Sequence, residues 1–194
     1  MISPAPVLLA RFLENHDEPR AAATFPSEVR QAAAVMTYLA PGLRFFHQSQ
    51  FEGRRIRISP HLCRGPDEPV DPTLHGFYRH LLAVLRHPAV RQGHWQLLEC
   101  LPAWEGNWTW DCFVAHAWEG EDGQRLMTAI NFAANQSQCY VRLPWSDLLT
   151  SQWRLQDLLG SARYDRRGDD LETRGLYLDL APWRYHVFSL EKLL

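Results

Sequence analysis

The sequence predicts an α/β segment, residues 1–92, followed by an all-β segment, residues 93–194, built as an antiparallel β-sandwich. Three observations predict it. Up to residue 92, short apolar runs alternate with runs of helical period. Beyond it, seven short stretches rich in β-branched and aromatic residues follow one another, separated by turn signals. In one of them, "QCYVRL", Cys139, Val141 and Leu143 alternate with Gln138, Tyr140 and Arg142, the period of a half-buried antiparallel strand.

The elements follow in order. Val7 to Phe12 is a continuous apolar run, as expected of a parallel strand buried on both faces. Ser27 offers a helix N-cap, with Arg30 where a capping box would place an acid. Val29, Ala32, Ala33, Met36 and Leu39 follow at helical spacing, and Pro41-Gly42 ends the helix. "LRFF", at 43–46, is a second short strand. Gly53 to Asp71 is rich in Arg, Pro and Gly and predicts a long loop, a feature that usually serves function. Pro72 opens another helix, with Leu74, Phe77, Tyr78, Leu81, Leu82 and Leu85 on its apolar face and His87-Pro88 at its end. Strand, helix, strand, helix implies a parallel sheet with right-handed crossovers. The later strands are "HWQLLECL", "CFVAHAW", "RLMTAINFA", "QCYVRL", "WRLQDLL", "LYLDL" and "YHVFSL". Glu121-Asp122-Gly123 and Arg167-Gly168-Asp169 punctuate them, and "RYDRRGDD" reads as a solvated turn of alternating charge.

Composition excludes several function classes. A chain of 194 residues with 46% apolar residues and a formal net charge of −2 is globular, with no electrostatic case for nucleic acid or an anionic membrane. No apolar run is long enough to span a bilayer. "MISPAPVLLARF" lacks the basic n-region of a signal peptide. Cys63, Cys100, Cys112 and Cys139 are widely spaced, form no CxxC pair, and read as small buried hydrophobes in a reducing, cytoplasmic setting. The nine histidines show neither HxH nor HxxxH spacing, so neither a metal site nor a cofactor is expected.

Chemistry concentrates in "ARFLENHDEPRAA", where an apolar run ends in Asn15-His16-Asp17. Two readings stand. The polar residues cap the next element, or they sit at the carboxyl end of a parallel strand, where α/β folds place their sites. The order of elements resembles the C-terminal portion of the α-amylase family of glycoside hydrolases (family 13). "FLENHDEPR" resembles that family's last signature, at the end of the seventh strand of a TIM-type (β/α)8 barrel. "PGLRFFHQSQFEG" is similar to the eighth-strand region and "FYRHLLAVLRHPAV" to the final barrel helix. The resemblance implies the last two βα units of the barrel over residues 1–92, and the family's domain C over 93–194.

The same resemblance implies roles. Retaining glycosidases place a nucleophile and an acid/base about 5–5.5 Å apart around an oxocarbenium-like transition state. A third carboxylate, here Asp17, stabilises that transition state, and His16 contacts the sugar. Asn15 and Arg20 complete the substrate-binding set by positioning the loop. "NHDEPR" is closest to the "NHDQPR" of α-glucosidases and oligoglucosidases, which leans toward short α-glucosides. The implied partners are an α-glucan or short α-glucoside and the missing N-terminal part of the barrel. In the family the nucleophilic Asp and the acid/base Glu follow the fourth and fifth strands, upstream of Met1, so this chain alone is expected to be inactive. Ser49 stands where the family commonly has Gly, and Arg44 where Pro is frequent.

Other candidates carry two readings each. Trp104, Trp108 and Trp110 form either a sugar-stacking platform or a packing cluster. Glu99, Glu105 and Asp111 are near one another in sequence, but nothing fixes their separation. His116 and His186 are expected to be satisfied core residues. The alternatives to an enzyme fragment are a non-catalytic sugar-binding β-sandwich module and a purely structural one.

Overall fold

A parallel strand pair and three helices build the N-terminal part of the protein in this computed structural model, which describes residues 9–62 and 64–193. They are β1 (Ala10–Arg11), α1 (Ala21–Thr24), α2 (Ser27–Tyr38), β2 (Leu43–Arg44) and α3 (Pro72–Leu85). β1 and β2 run parallel, Ala10 opposite Leu43 and Arg11 opposite Arg44. The predicted strand Val7–Phe12 is realised only at Ala10–Arg11 and is not buried on both faces, since Leu9 and Phe12 are exposed; its portion before Leu9 lies outside the described residues. Gly42 makes the pairing possible. Its φ is +133°, and a Cβ there would stand 2.4 Å from the Leu9 carbonyl oxygen. That close approach lets the Leu43 N–H donate to Leu9 at 2.9 Å.

α2 buries Ala32, Ala33, Ala34, Val35 and Tyr38. Its N-cap is Pro26, and Ser27 is the first helical residue, its hydroxyl donating to Glu28 at 2.9 Å. The predicted Ser27 cap is therefore corrected by one position. Arg30 is buried and pairs with Asp71 at 3.3 Å. Asp71 in turn accepts from the Leu74 N–H at 3.0 Å, filling an orphan donor at the start of α3. Buried Gln50 donates to the hydroxyls of Tyr38 at 2.9 Å and Tyr78 at 2.8 Å, linking α2 to α3.

The chain divides between Ala83 and Val84 into two units, nine positions earlier than residue 92. The reason is α4 (Pro88–Gln92), which packs on the following sheet: Ala89 approaches Gly120 so closely that a Cβ on that glycine would lie 3.4 Å from it. The second unit continues with β3 (His94–Leu97), β4 (Cys100–Leu101), a 3-10 turn (Thr109–Cys112), β5 (Phe113–Glu119), β6 (Arg125–Asn131) and β7 (Ser137–Val141). It ends with β8 (Gln152–Asp157), β9 (Arg163–Arg167), α5 (Gly168–Thr173), β10 (Leu176–Leu180) and β11 (Tyr185–Leu193). One sheet has the order β3-β5-β6-β11-β8-β9 and the other β10-β7-β4, with every pairing in both antiparallel. Both sheets feed one hydrophobic core, which joins Met127, Trp153, Leu155 and Phe188 to Cys139, Val141, Leu176 and Leu178. "HWQLLECL" splits into two strands that enter different sheets.

"RYDRRGDD" is not a turn. Its first five residues form β9, where Arg154 of β8 grips Asp165 through two hydrogen bonds of 2.9 Å each, and the rest opens α5. Period-two alternation places Tyr164 against the core while its charged neighbours face water. Among the cysteines, Cys139 is buried, whereas Cys100 and Cys112 are half-buried; Cys63 lies outside the described residues. Among the described residues, no helix is long and apolar enough to cross a membrane.

The two strand histidines differ. His186 Nδ1 meets Asp157 at 2.7 Å, a satisfied pair. His116 is 2% exposed and its Nε2 has no hydrogen-bond partner, which corrects the expectation that it is satisfied. Burial pulls its pKa from 6.5 down to about 4. A histidine whose folded pKa is depressed gives its full stability above the unfolded value and loses it as pH falls toward the folded one. Lowering pH from about 7.5 to about 4.5 is therefore expected to remove about 2–3 kcal/mol from the sheet unit through this residue. Urea unfolding of the protein and of His116→Phe at both pH values checks this. The variant's stability should fall less by that amount, and an equal fall in both would exclude His116 as the cause.

Candidate active site

The chain leaves β1 through Phe12 and Leu13 into a turn that begins with a buried acid. Glu14 is 1% exposed. Its Oε2 accepts the Ala21 N–H at 2.5 Å and its Oε1 stands 3.1 Å from Arg20. Burial pushes its pKa upward, while the Ala21 N–H and the charges of Arg20 and Arg30 hold it down. Arg20, also buried, donates to the Gln48 carbonyl at 2.9 Å. Glu14 and Arg20 thus clamp both ends of the turn, one against the start of α1 and the other against the segment after β2.

Asn15, His16 and Asp17 sit on that clamp. Asn15 Oδ1 accepts from the N–H groups of Asp17 at 2.7 Å and Glu18 at 3.0 Å, an Asx turn. Asn15 closes this turn but caps no helix, since α1 has Arg20 at its N-cap position and no side-chain cap bond. His16 Nε2 lies 3.3 Å from Asp17 Oδ2, and both side chains are exposed, at 62% and 75%. Among the described residues, neither side chain is part of the core.

The carboxyl ends of β1 and β2 open on one cavity of about 470 Å³. Asn15, His16 and Arg20 line it from the β1 side, and His47, Gln48 and Ser49 from the β2 side. Asp17 is not among the lining residues. Most of the remaining wall comes from the loop predicted at Gly53–Asp71, including Arg54, Arg57 and Arg64. Arg57 Nε donates to the His16 carbonyl at 3.1 Å, tying the loop to the turn. His47 is held below its ordinary pKa by burial, then by the charges of Arg20 and His16. Ser49 has φ +63°, the left-handed region that favours glycine. Arg44 donates to the Tyr38 carbonyl at 2.6 Å, a bond that proline could not make.

Sequence reasoning missed Glu14, His47 and the loop arginines. The signal for the loop was its run of Arg residues; that for Glu14 was an acid closing an apolar run. In the sheet unit, Trp108 is 83% exposed and Trp104 54%, whereas Trp110 packs against the core. The packing reading therefore holds for Trp110 alone.

No family model and no curated protein matches the chain. Solved structures do. An α-amylase from Geobacillus thermoleovorans, complexed with acarbose, superposes with a TM-score of 0.71 at 19% identity, over 96% of this chain and 39% of that one. An Anoxybacillus α-amylase gives 0.68 at 19% identity, over 95% and 38%. A maltogenic α-amylase from Thermotoga neapolitana gives 0.68 at 12% identity, over 94% and 41%. The chain spans about two-fifths of the length of these enzymes. Over that portion, it has the α-amylase fold.

Proposed function

We propose that this chain is the C-terminal part of a glycoside hydrolase of the α-amylase type, acting on α-glucosidic bonds with retention. In this reading the N-terminal unit supplies the last two βα units of a (β/α)8 barrel, and the second unit is domain C, an antiparallel β-sandwich. Asp17 stabilises the positive charge that develops on the sugar, and His16 hydrogen-bonds its hydroxyls. Asn15 and Arg20 hold the turn in position rather than touching sugar. One observation carries the reading: two parallel strands open at their carboxyl ends on a single cavity, with His16 on its wall and exposed Asp17 beside it.

The 194-residue chain alone is expected to show no turnover on maltose, maltooligosaccharides, starch or an aryl α-glucoside. One stabilising carboxylate does not replace a nucleophile and an acid/base. Joined to a barrel segment that supplies both, the same chain should hydrolyse these substrates. Turnover that copurifies with the chain alone and vanishes in Asp17→Ala would overturn the division of roles. Exposed Trp104 and Trp108 favour a second reading, a sugar-binding module. Retarded migration of the chain in a starch gel, abolished by Trp108→Ala, together with an inactive joined enzyme, would select it.

A further inference from the structure

The cavity wall carries more positive charge than a neutral sugar needs. Arg54, Arg57 and Arg64 all line it, and Glu68 is its one lining acid among the described residues. Glu68 is already engaged, since its carboxylate accepts from the Arg55 N–H at 2.8 Å and the Ile56 N–H at 3.3 Å. Asp67 stands 3.8 Å from Arg54 and is fully exposed, too far for a hydrogen bond and screened by water. Arg20 is excluded from this count because Glu14 neutralises it.

One further observation points the same way. Arg54 Nη1 has no hydrogen-bond partner, and its one ion-pair neighbour, Asp67, stands 3.8 Å away.

We propose that this cavity binds a phosphate group, and that the glucoside bound beside His16 carries one. The inference of a glucoside rests on the function proposed above; that of a phosphate site rests on the arginines alone. Guanidinium groups hold phosphate through paired, charge-assisted hydrogen bonds. A neutral glucan would leave three arginines on a wall with a single lining acid, Glu68, whereas a phosphate dianion supplies the negative charge that balances them.

Calorimetric titration of the full chain at low salt tests this, with glucose 6-phosphate, inorganic phosphate and glucose as probes. Glucose 6-phosphate is expected to bind saturably and at least about tenfold tighter than glucose, in competition with inorganic phosphate. Arg54→Gln and Arg64→Gln should each weaken it about fivefold or more, and Arg163→Gln, on distant β9, should not. Arg54→Lys, which keeps the charge, should retain part of the affinity, and amide spectra of each variant establish that it is folded. If inorganic phosphate binds as tightly as glucose 6-phosphate, the site stands and its ligand is free phosphate. Equal binding of glucose and glucose 6-phosphate, or affinities unchanged by both Gln substitutions, would overturn the proposal. Either result leaves the glucosidase reading intact, because that reading is tested by turnover of neutral maltooligosaccharides in the joined enzyme.

Discussion

Asp17→Asn, in an enzyme joining this chain to a segment with the nucleophilic Asp and the acid/base Glu, is expected to lower turnover by roughly two to four orders of magnitude. The substitution keeps the side chain's size and part of its hydrogen bonding but removes the charge. Hydrogen bonds from sugar hydroxyls to a carboxylate are stronger than those to an amide. The carboxylate gains most when the ring becomes oxocarbenium-like, so the lost energy, about 3–5 kcal/mol, falls on the transition state more than on the ground state. Stability should barely move, because the Asp17 side chain is 75% exposed and its backbone N–H is held by Asn15. Turnover numbers and unfolding midpoints of the two proteins decide it. Near-parental turnover would return Asp17 to the role of a turn residue, and so would a loss explained by unfolding.

Glu14→Ala is expected to act in the opposite way, through the fold. It strips the carboxylate from the buried Ala21 N–H and leaves Arg20 buried beside an empty space. Breaking a buried pair by removing one partner costs about 3–5 kcal/mol, and the N-terminal unit should lose that much. Glu14→Gln, which keeps shape and one acceptor, should lose about 1–3 kcal/mol. The two also differ in pH response. Burial raises the Glu14 pKa above its ordinary 4.5 when folded, against the pull of the Ala21 N–H and of Arg20 and Arg30. Its contribution to stability is full below the unfolded pKa and declines as pH rises through the folded one. The Gln variant lacks that decline. Urea titrations of the N-terminal unit at several pH values measure both effects; an Ala variant as stable as the parent would remove Glu14 from the clamp.

The sheet unit was largely legible because its strands carry their pattern locally. In "LYLDL" the alternation Leu176, Leu178, Leu180 needs no partner to be seen, and those three residues are buried in β10. "RYDRRGDD" failed for the converse reason. Its lone inward residue, Tyr164, is not enough to signal a strand, and the Arg154–Asp165 pair that secures it depends on a register the sequence does not state. At the site, the turn at Asn15 was readable because an Asx turn forms within three residues. The clamp was not. Glu14 and Arg20 look like two ordinary surface charges until the chain folds back and buries both. The orientation of the Gly53–Asp71 loop was equally hidden, since Arg57 reaches His16 across 41 positions.

β9 bears on how this protein behaves in crowded solution. Its strand lies at the rim of the six-stranded sheet and offers open backbone groups along one side. Of its five residues, three are arginine and one is aspartate. Arg167 pairs with Asp169 and Asp165 with Arg154, so a second molecule approaching to extend the sheet would bring the charges of Arg163 and Arg166 against like charges. That repulsion is expected to disfavour the edge-to-edge pairing that an apolar rim of the same length would invite.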